Sequence, residues 1–110
     1  MGDFQIRCIN KPDHASPHER ITHIGNGTWR LPIDTAIALI QSKRHTFYTL
    51  TPNDVFGLVS RRADIGVVLA EGGLLGRRAY VRTYADGVWT DNLLALPECS
   101  PFAPVVQEPY

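Results

Sequence analysis

Cys8, Asp13, His14, His18, Glu19 and His23 fall within one short segment near the front of the chain, and Asp86 to Cys99 forms a second polar stretch near its other end. Imidazole, carboxylate and thiolate groups suit zinc or iron. His14, His18 and Glu19 with Cys99 therefore define a composite metal-binding or enzymatic site, provided that folding joins the 13–23 segment to Cys99. His14 and His18 are four apart, a spacing that shares a face only on a helix. Ser16-Pro17 starts a turn between them, so helical geometry does not pair them, and no established zinc pattern is present. The structural alternative makes them exposed loop histidines, with Ser16 capping a short helical turn and Glu19 completing its capping box. Cys99 with His14, His18 or His23 is the nucleophile–base pairing open to the chain, and it requires adjacency in space. No nucleophile elbow or cysteine-protease signature accompanies it. As a structural residue, Cys8 is a buried strand thiol and Cys99 a packed one near the end.

A third constellation lies on the segment Arg78 to Tyr84. Alternation places Arg78, Tyr80, Arg82 and Tyr84 on one strand face and Ala79, Val81 and Thr83 on the other. Basic and aromatic residues interleaved in this way can stack bases and pair phosphates, and Arg61-Arg62 would extend the ribbon. The same residue types are enriched at protein interfaces. Eleven Lys and Arg against eleven Asp and Glu leave a net charge of zero, so the cation excess that drives polyanion binding is missing. The ribbon is therefore expected to contact an unidentified protein partner or a second copy of the chain, with single-stranded nucleic acid a weaker alternative. Gly72-Gly73 and Gly76 have strand-forming residues after them, not the helix a phosphate loop requires, and mark a hairpin loop. No cofactor is expected. Trp29 and Trp89 are expected to pack in the core or on a sheet.

The elements that must position these groups are short. Phe4 to Ile9 alternates at period two and predicts a first strand. Ile33, Ala36, Ile37 and Ile40 fall on one helical face, predicting an amphipathic helix over about 33–42, with Asp34 in its first turn and Lys43-Arg44-His45 at its end. Thr46 to Leu50 and Ile65 to Leu69 predict strands, and Val55 to Ser60 fits either strand or loop. Arg78 to Tyr84 should return as the hairpin partner of 65–69. Asp86-Gly87 is a two-residue turn signal, with Trp89 on a last short strand. One helix and four to six short strands without βαβ alternation predict an α+β fold, the helix covering one face of a mostly antiparallel sheet. Residues 1–100 are expected to form a single α+β domain, followed by a proline-containing mobile tail over 101–110.

Apolar content of 44% and charged content of 20% are globular values. The N-terminal residues lack the pattern of a signal peptide, and no apolar run reaches the roughly 18 residues that span a bilayer. With only two cysteines, the cytoplasm is the expected setting. Such a compartment disfavours a Cys8–Cys99 disulfide, although spacing leaves it open.

The ordered motifs Cys8-Ile9-Asn10-Lys11, His18-Glu19-Arg20-Ile21-Thr22-His23-Ile24-Gly25, Tyr80-Val81-Arg82-Thr83 with Asp86-Gly87, and Asn92-Leu93-Leu94-Ala95-Leu96-Pro97-Glu98-Cys99 span most of the chain. Together they resemble a family of small bacterial proteins classed only as a domain of unknown function. The resemblance implies a bacterial, cytosolic, single-domain protein and assigns no activity, cofactor or catalytic residue. The chain departs from that family in a longer stretch between Thr51 and Asp64, and in Pro32 where a Ser or Thr cap is expected. The residues thus favour a small non-enzymatic interaction module.

Overall fold

The computed structural model describes residues 2–13, 17–52, 60–69, 79–85 and 87–110. A five-stranded sheet runs in the order β1 (Gly2–Gln5), β5 (His45–Pro52), β6 (Ser60–Val68), β7 (Tyr80–Ala85) and β8 (Val88–Thr90). A three-stranded sheet runs β2 (Cys8–Asn10), β3 (His23–Gly25) and β4 (Arg30–Pro32). β1 pairs with β5 in parallel, and the other neighbouring strands pair antiparallel. The one described α-helix, α1 (Ile33–Gln41), packs against β5, β6 and β7 of the larger sheet and β3 and β4 of the smaller. The α+β class and the helix-on-sheet arrangement expected from the sequence are both present.

The alternating stretch Phe4 to Ile9 is not one strand. Ile6 donates its N–H to the Tyr48 carbonyl at 2.7 Å, and Arg7 donates its N–H to the Gly25 carbonyl at 2.8 Å. Two adjacent residues thus hand the chain from the larger sheet to the smaller. Period two fixes which side chains share a face, but it does not say which sheet the backbone joins.

α1 ends one residue earlier than expected, with Ser42 as its C-cap. Lys43 adopts the left-handed region at φ 59°. Its N–H donates to the Ile40 carbonyl and that of Arg44 to the Leu39 carbonyl, at 3.1 Å each, the paired bonds of a Schellman ending. At the other end Pro32 supplies no side-chain cap, and the Ile33 N–H is satisfied by the Thr22 carbonyl at 2.9 Å. His45, grouped with the helix end by sequence, is a buried residue of β5.

The core joins both sheets to the helix. Ile24, Trp29, Leu31, Ala36, Val81 and Leu93 are fully buried, with Ile6, Ile9, Phe47 and Ile65 around them. Trp29 is a core residue, as expected, and meets Phe4 edge to face at 6.0 Å. Its indole Nε1–H donates to the main-chain oxygen of Tyr110 at 2.9 Å.

That bond belongs to a wider set of contacts made by residues 101–110, part of which runs beside β4. Arg30 donates its N–H to the Pro104 carbonyl, and its carbonyl accepts from the Val106 N–H, both at 2.8 Å. Thr35 donates to Gln107, and Arg44 and His45 hold Glu108. Backbone groups of this proline-containing segment are thereby paired with those of Arg30 in β4.

The thiols take the outcome that spacing left open and the expected compartment disfavoured. Cys8 and Cys99 form a disulfide. Around it Ile9 donates its N–H to the Pro97 carbonyl and accepts from the Cys99 N–H, each at 3.0 Å. The two polar stretches of the sequence are therefore brought together, but by a covalent bond and backbone pairing.

Candidate functional site

β7 divides its side chains as its alternation requires. Val81 and Thr83 are fully buried in the core, while Tyr80, Arg82 and Tyr84 face the opposite side of the larger sheet. Strand register extends that face. Gln5 stands opposite Tyr48, Tyr48 opposite Asp64, Asp64 opposite Tyr84, and Tyr84 opposite Trp89. These five residues form one row across all five strands. α1 lies against the core side, so this face meets solvent except beside Tyr80, where the turn over His18–Arg20 packs.

Arg62 organises one half of the face. Its guanidinium lies over the Tyr48 ring, 4.2 Å from the centroid. It donates from Nη1 and Nη2 to the two carboxylate oxygens of Asp3 at 2.7 and 3.0 Å, and from Nε to Asp64 at 2.8 Å. The hydrogen bond from Arg62 holds the Asp3 carboxyl below its ordinary pKa, against a smaller opposing effect of burial. The same bond to Asp3, followed by that to Asp64, pushes the Arg62 pKa up. Arg61 points to the other side of the strand, because adjacent strand residues alternate. The Arg61-Arg62 pair is thereby split, and Arg62 alone extends the β7 ribbon.

Arg82 organises the other half. Its Nε donates to the Thr90 carbonyl at 3.1 Å and its Nη2 to Asp91 at 2.8 Å. Asp91 also lies 3.9 Å from His18 Nε2. His18, in a single 3-10 turn over His18–Arg20, is buried and packs its ring 6.2 Å from that of Tyr80. Tyr84 and Trp89 meet edge to face at 5.3 Å. A Cβ at Gly66 would stand 3.2 Å from the Trp89 indole, so the missing side chain lets the ring settle on β6.

The residues named from the sequence divide as follows. Tyr80, Arg82 and Tyr84 share the open face, and His18 joins them through Asp91. His14, Arg78 and the side chain of Glu19 lie outside the described residues, as do Ser16, Val55 to Val59, Gly72, Gly73 and Gly76, expected in a hairpin loop, and Asp86. Cys99, proposed as a metal ligand or nucleophile, is bonded to Cys8 and has no thiolate to offer, which removes it from the composite site in this form. No group of three or more His, Cys, Asp or Glu able to hold a metal occurs among the described residues. His23 lines a separate groove of about 410 Å³ with Arg20, Thr22 and Asp34. Its pKa is lowered by burial and, secondly, by the charge of Arg30.

Trp89 and Asp91 are members of the face that residue types alone did not select. The signal was present in Asp86-Gly87. A two-residue turn there sets residue 85 opposite 88 and residue 84 opposite 89, which is the register observed. The Asp3–Arg62 pairing had no such signal, since β1 and β6 are separated by β5 in the sheet.

These features define an α+β protein whose larger sheet turns an aromatic and charge-paired face to solvent. The chain belongs to the family described as Protein of unknown function (DUF3892), whose family model matches residues 5–97. No curated protein and no solved structure matches the chain significantly.

Proposed function

We propose that the chain is a non-enzymatic interaction module, binding a protein partner or a second copy of itself through the face of Tyr80, Arg82, Tyr84 and Trp89. The observation that carries this reading is the Tyr84–Trp89 pair. Two aromatic side chains, 43% and 41% exposed, are held in fixed mutual geometry on an open sheet. Rigid aromatic groups of this kind supply anchor energy at protein interfaces with little loss of side-chain entropy. The charge pattern weighs against nucleic acid. Arg62 and Arg82 already donate to Asp3, Asp64 and Asp91, and a phosphate would have to displace those carboxylates.

No described helix is long and apolar enough to cross a membrane. The Cys8–Cys99 bond favours an oxidising setting for the folded form over the cytoplasm expected from cysteine count. Native mass spectrometry of protein purified from its own host under non-reducing conditions tests the function. A dimer or a stoichiometric protein partner, lost in a folded Tyr84→Ala/Trp89→Ala variant, is expected. Association unchanged in that variant, or a clean monomer carrying a stoichiometric metal, overturns the reading.

A further inference from the structure

The open face contains one aromatic–carboxylate arrangement that already holds a guanidinium, and a second that repeats its chemistry. In the first, Arg62 stacks on Tyr48 and donates to Asp64. In the second, Tyr84 and Trp89 follow Asp64 in the same cross-strand row, on its other side. Asp91 lies at the end of that half. The neighbouring cation, Arg82, directs its Nε to the Thr90 carbonyl and its Nη2 to Asp91.

The half of the face beside Tyr84 and Trp89 presents carboxylate oxygen to solvent. The described ion pairs of the face join Asp3, Asp64 and Asp91 to Arg62 and Arg82, while Arg7 donates to Gln5 at the far β1 end of the row. The Asp64 and Asp91 side chains are 66% and 70% exposed, so each keeps oxygen surface open to an incoming donor. An arginine satisfies both halves of such a site: its planar face stacks on an aromatic ring while its N–H groups donate to a carboxylate. An anionic ligand would meet Asp64 and Asp91 as like charges.

We propose that Tyr84, Trp89 and Asp64 form a binding site for an arginine side chain carried on a basic segment of a protein partner. This rests on the reading of the face as a protein-binding surface and names the chemistry of what it binds. Trp89 positions the site, its indole held by Gly66 beneath and Tyr84 beside it. Asp64 joins the two halves, accepting from Arg62 on one side and facing Tyr84 on the other.

The probe is a blocked tetra-arginine peptide, with blocked tetra-glutamate as the control, followed through the indole N–H resonances of Trp89 and Trp29. A saturable shift of Trp89, not of the buried Trp29, is expected with tetra-arginine and not with tetra-glutamate. Asp64→Asn and Trp89→Leu should each weaken binding about tenfold, equivalent to about 1.4 kcal/mol. Trp89→Leu leaves the Arg62 contacts untouched and is read through the Tyr84 amide. Raised salt should weaken binding further. Absence of a saturable shift, or equal binding by both substituted proteins, overturns the arginine site. If association is nevertheless lost in Tyr84→Ala/Trp89→Ala, the protein-binding reading stands without it; if association also persists, both fall.

Discussion

A Cβ added to Gly25 would stand 2.9 Å from the Cys99 sulfur, so the bare backbone at the end of β3 is what lets the disulfide lie across that strand. The same Cβ would stand 2.6 Å from the Trp29 carbonyl oxygen and 3.0 Å from the Cys8 sulfur. None of these atoms is the far end of a flexible side chain. Gly25→Ala should therefore cost roughly 1–3 kcal/mol through overpacking. A lower urea midpoint with an unchanged slope is the expected result, and an unchanged midpoint would show that the strand yields freely.

The disulfide closes a sequence separation of 91 residues. Restricting the unfolded chain over a loop of that size is worth about 4–5 kcal/mol in the chain-entropy model, with about 2–4 kcal/mol typical of measurement. Cys8→Ala/Cys99→Ala should lose stability in that range, and the natural sequence should lose a similar amount when reduced. Thiol titration of the unreduced, denatured protein should find no reactive thiol. Two titratable thiols would contradict the bond directly.

Thr49 and Thr83 are both fully buried on the core side of the larger sheet, with opposite polar accounts. The Thr83 hydroxyl bonds Thr90 through its Oγ1 at 2.6 Å and its carbonyl at 3.1 Å. The Thr49 hydroxyl has no hydrogen-bond partner among the described residues. Thr49→Val keeps the shape and removes the buried polar atom, so it should stabilise by about 1–2 kcal/mol. Thr83→Val should destabilise by about 1 kcal/mol. Thermal unfolding of the two variants checks the opposite signs.

Acid should loosen the segment that ends at Tyr110. The Gly2 N–H donates to His45 Nδ1 at 3.0 Å, which assigns the ring proton to Nε2 and aims it at Glu108. That hydrogen bond, with Arg44 as the further partner, holds the Glu108 carboxyl below its ordinary value of 4.5. A carboxyl with a lowered folded pKa stabilises above the ordinary value, and its contribution is lost as pH falls through the folded one. The Trp29 indole N–H, bonded to Tyr110, should report release below about pH 4.5 in the natural sequence. In Glu108→Gln that acid step should be absent; an identical profile would remove Glu108 from the account.

The parts of the fold legible beforehand rest on local pattern. Apolar spacing located α1 to within a residue, because one helical face must be buried whatever it packs against. Alternation sorted β7 into core and open sides, and the Asp86-Gly87 turn contained the pairing of Tyr84 with Trp89. The break between Ile6 and Arg7 was not legible. Both residues keep the alternation, and the change of sheet is decided by two backbone bonds to distant strands.

The same division holds for the candidate site. Residue type and alternation by themselves determined that Tyr80, Arg82 and Tyr84 share a side of one strand, because pleating permits no other arrangement. Which carboxylates meet the arginines was decided only by tertiary structure. Asp3 reaches Arg62 across 59 positions of sequence, and Asp91 gathers both Arg82 and His18. The two cysteines carried no pairing signal in their spacing, and only the approach of β2 to the 97–99 segment brought the sulfurs together. Local pattern is set by covalent geometry and periodicity, whereas these partnerships depend on strand order, which arises only when the whole chain competes for the same buried surface.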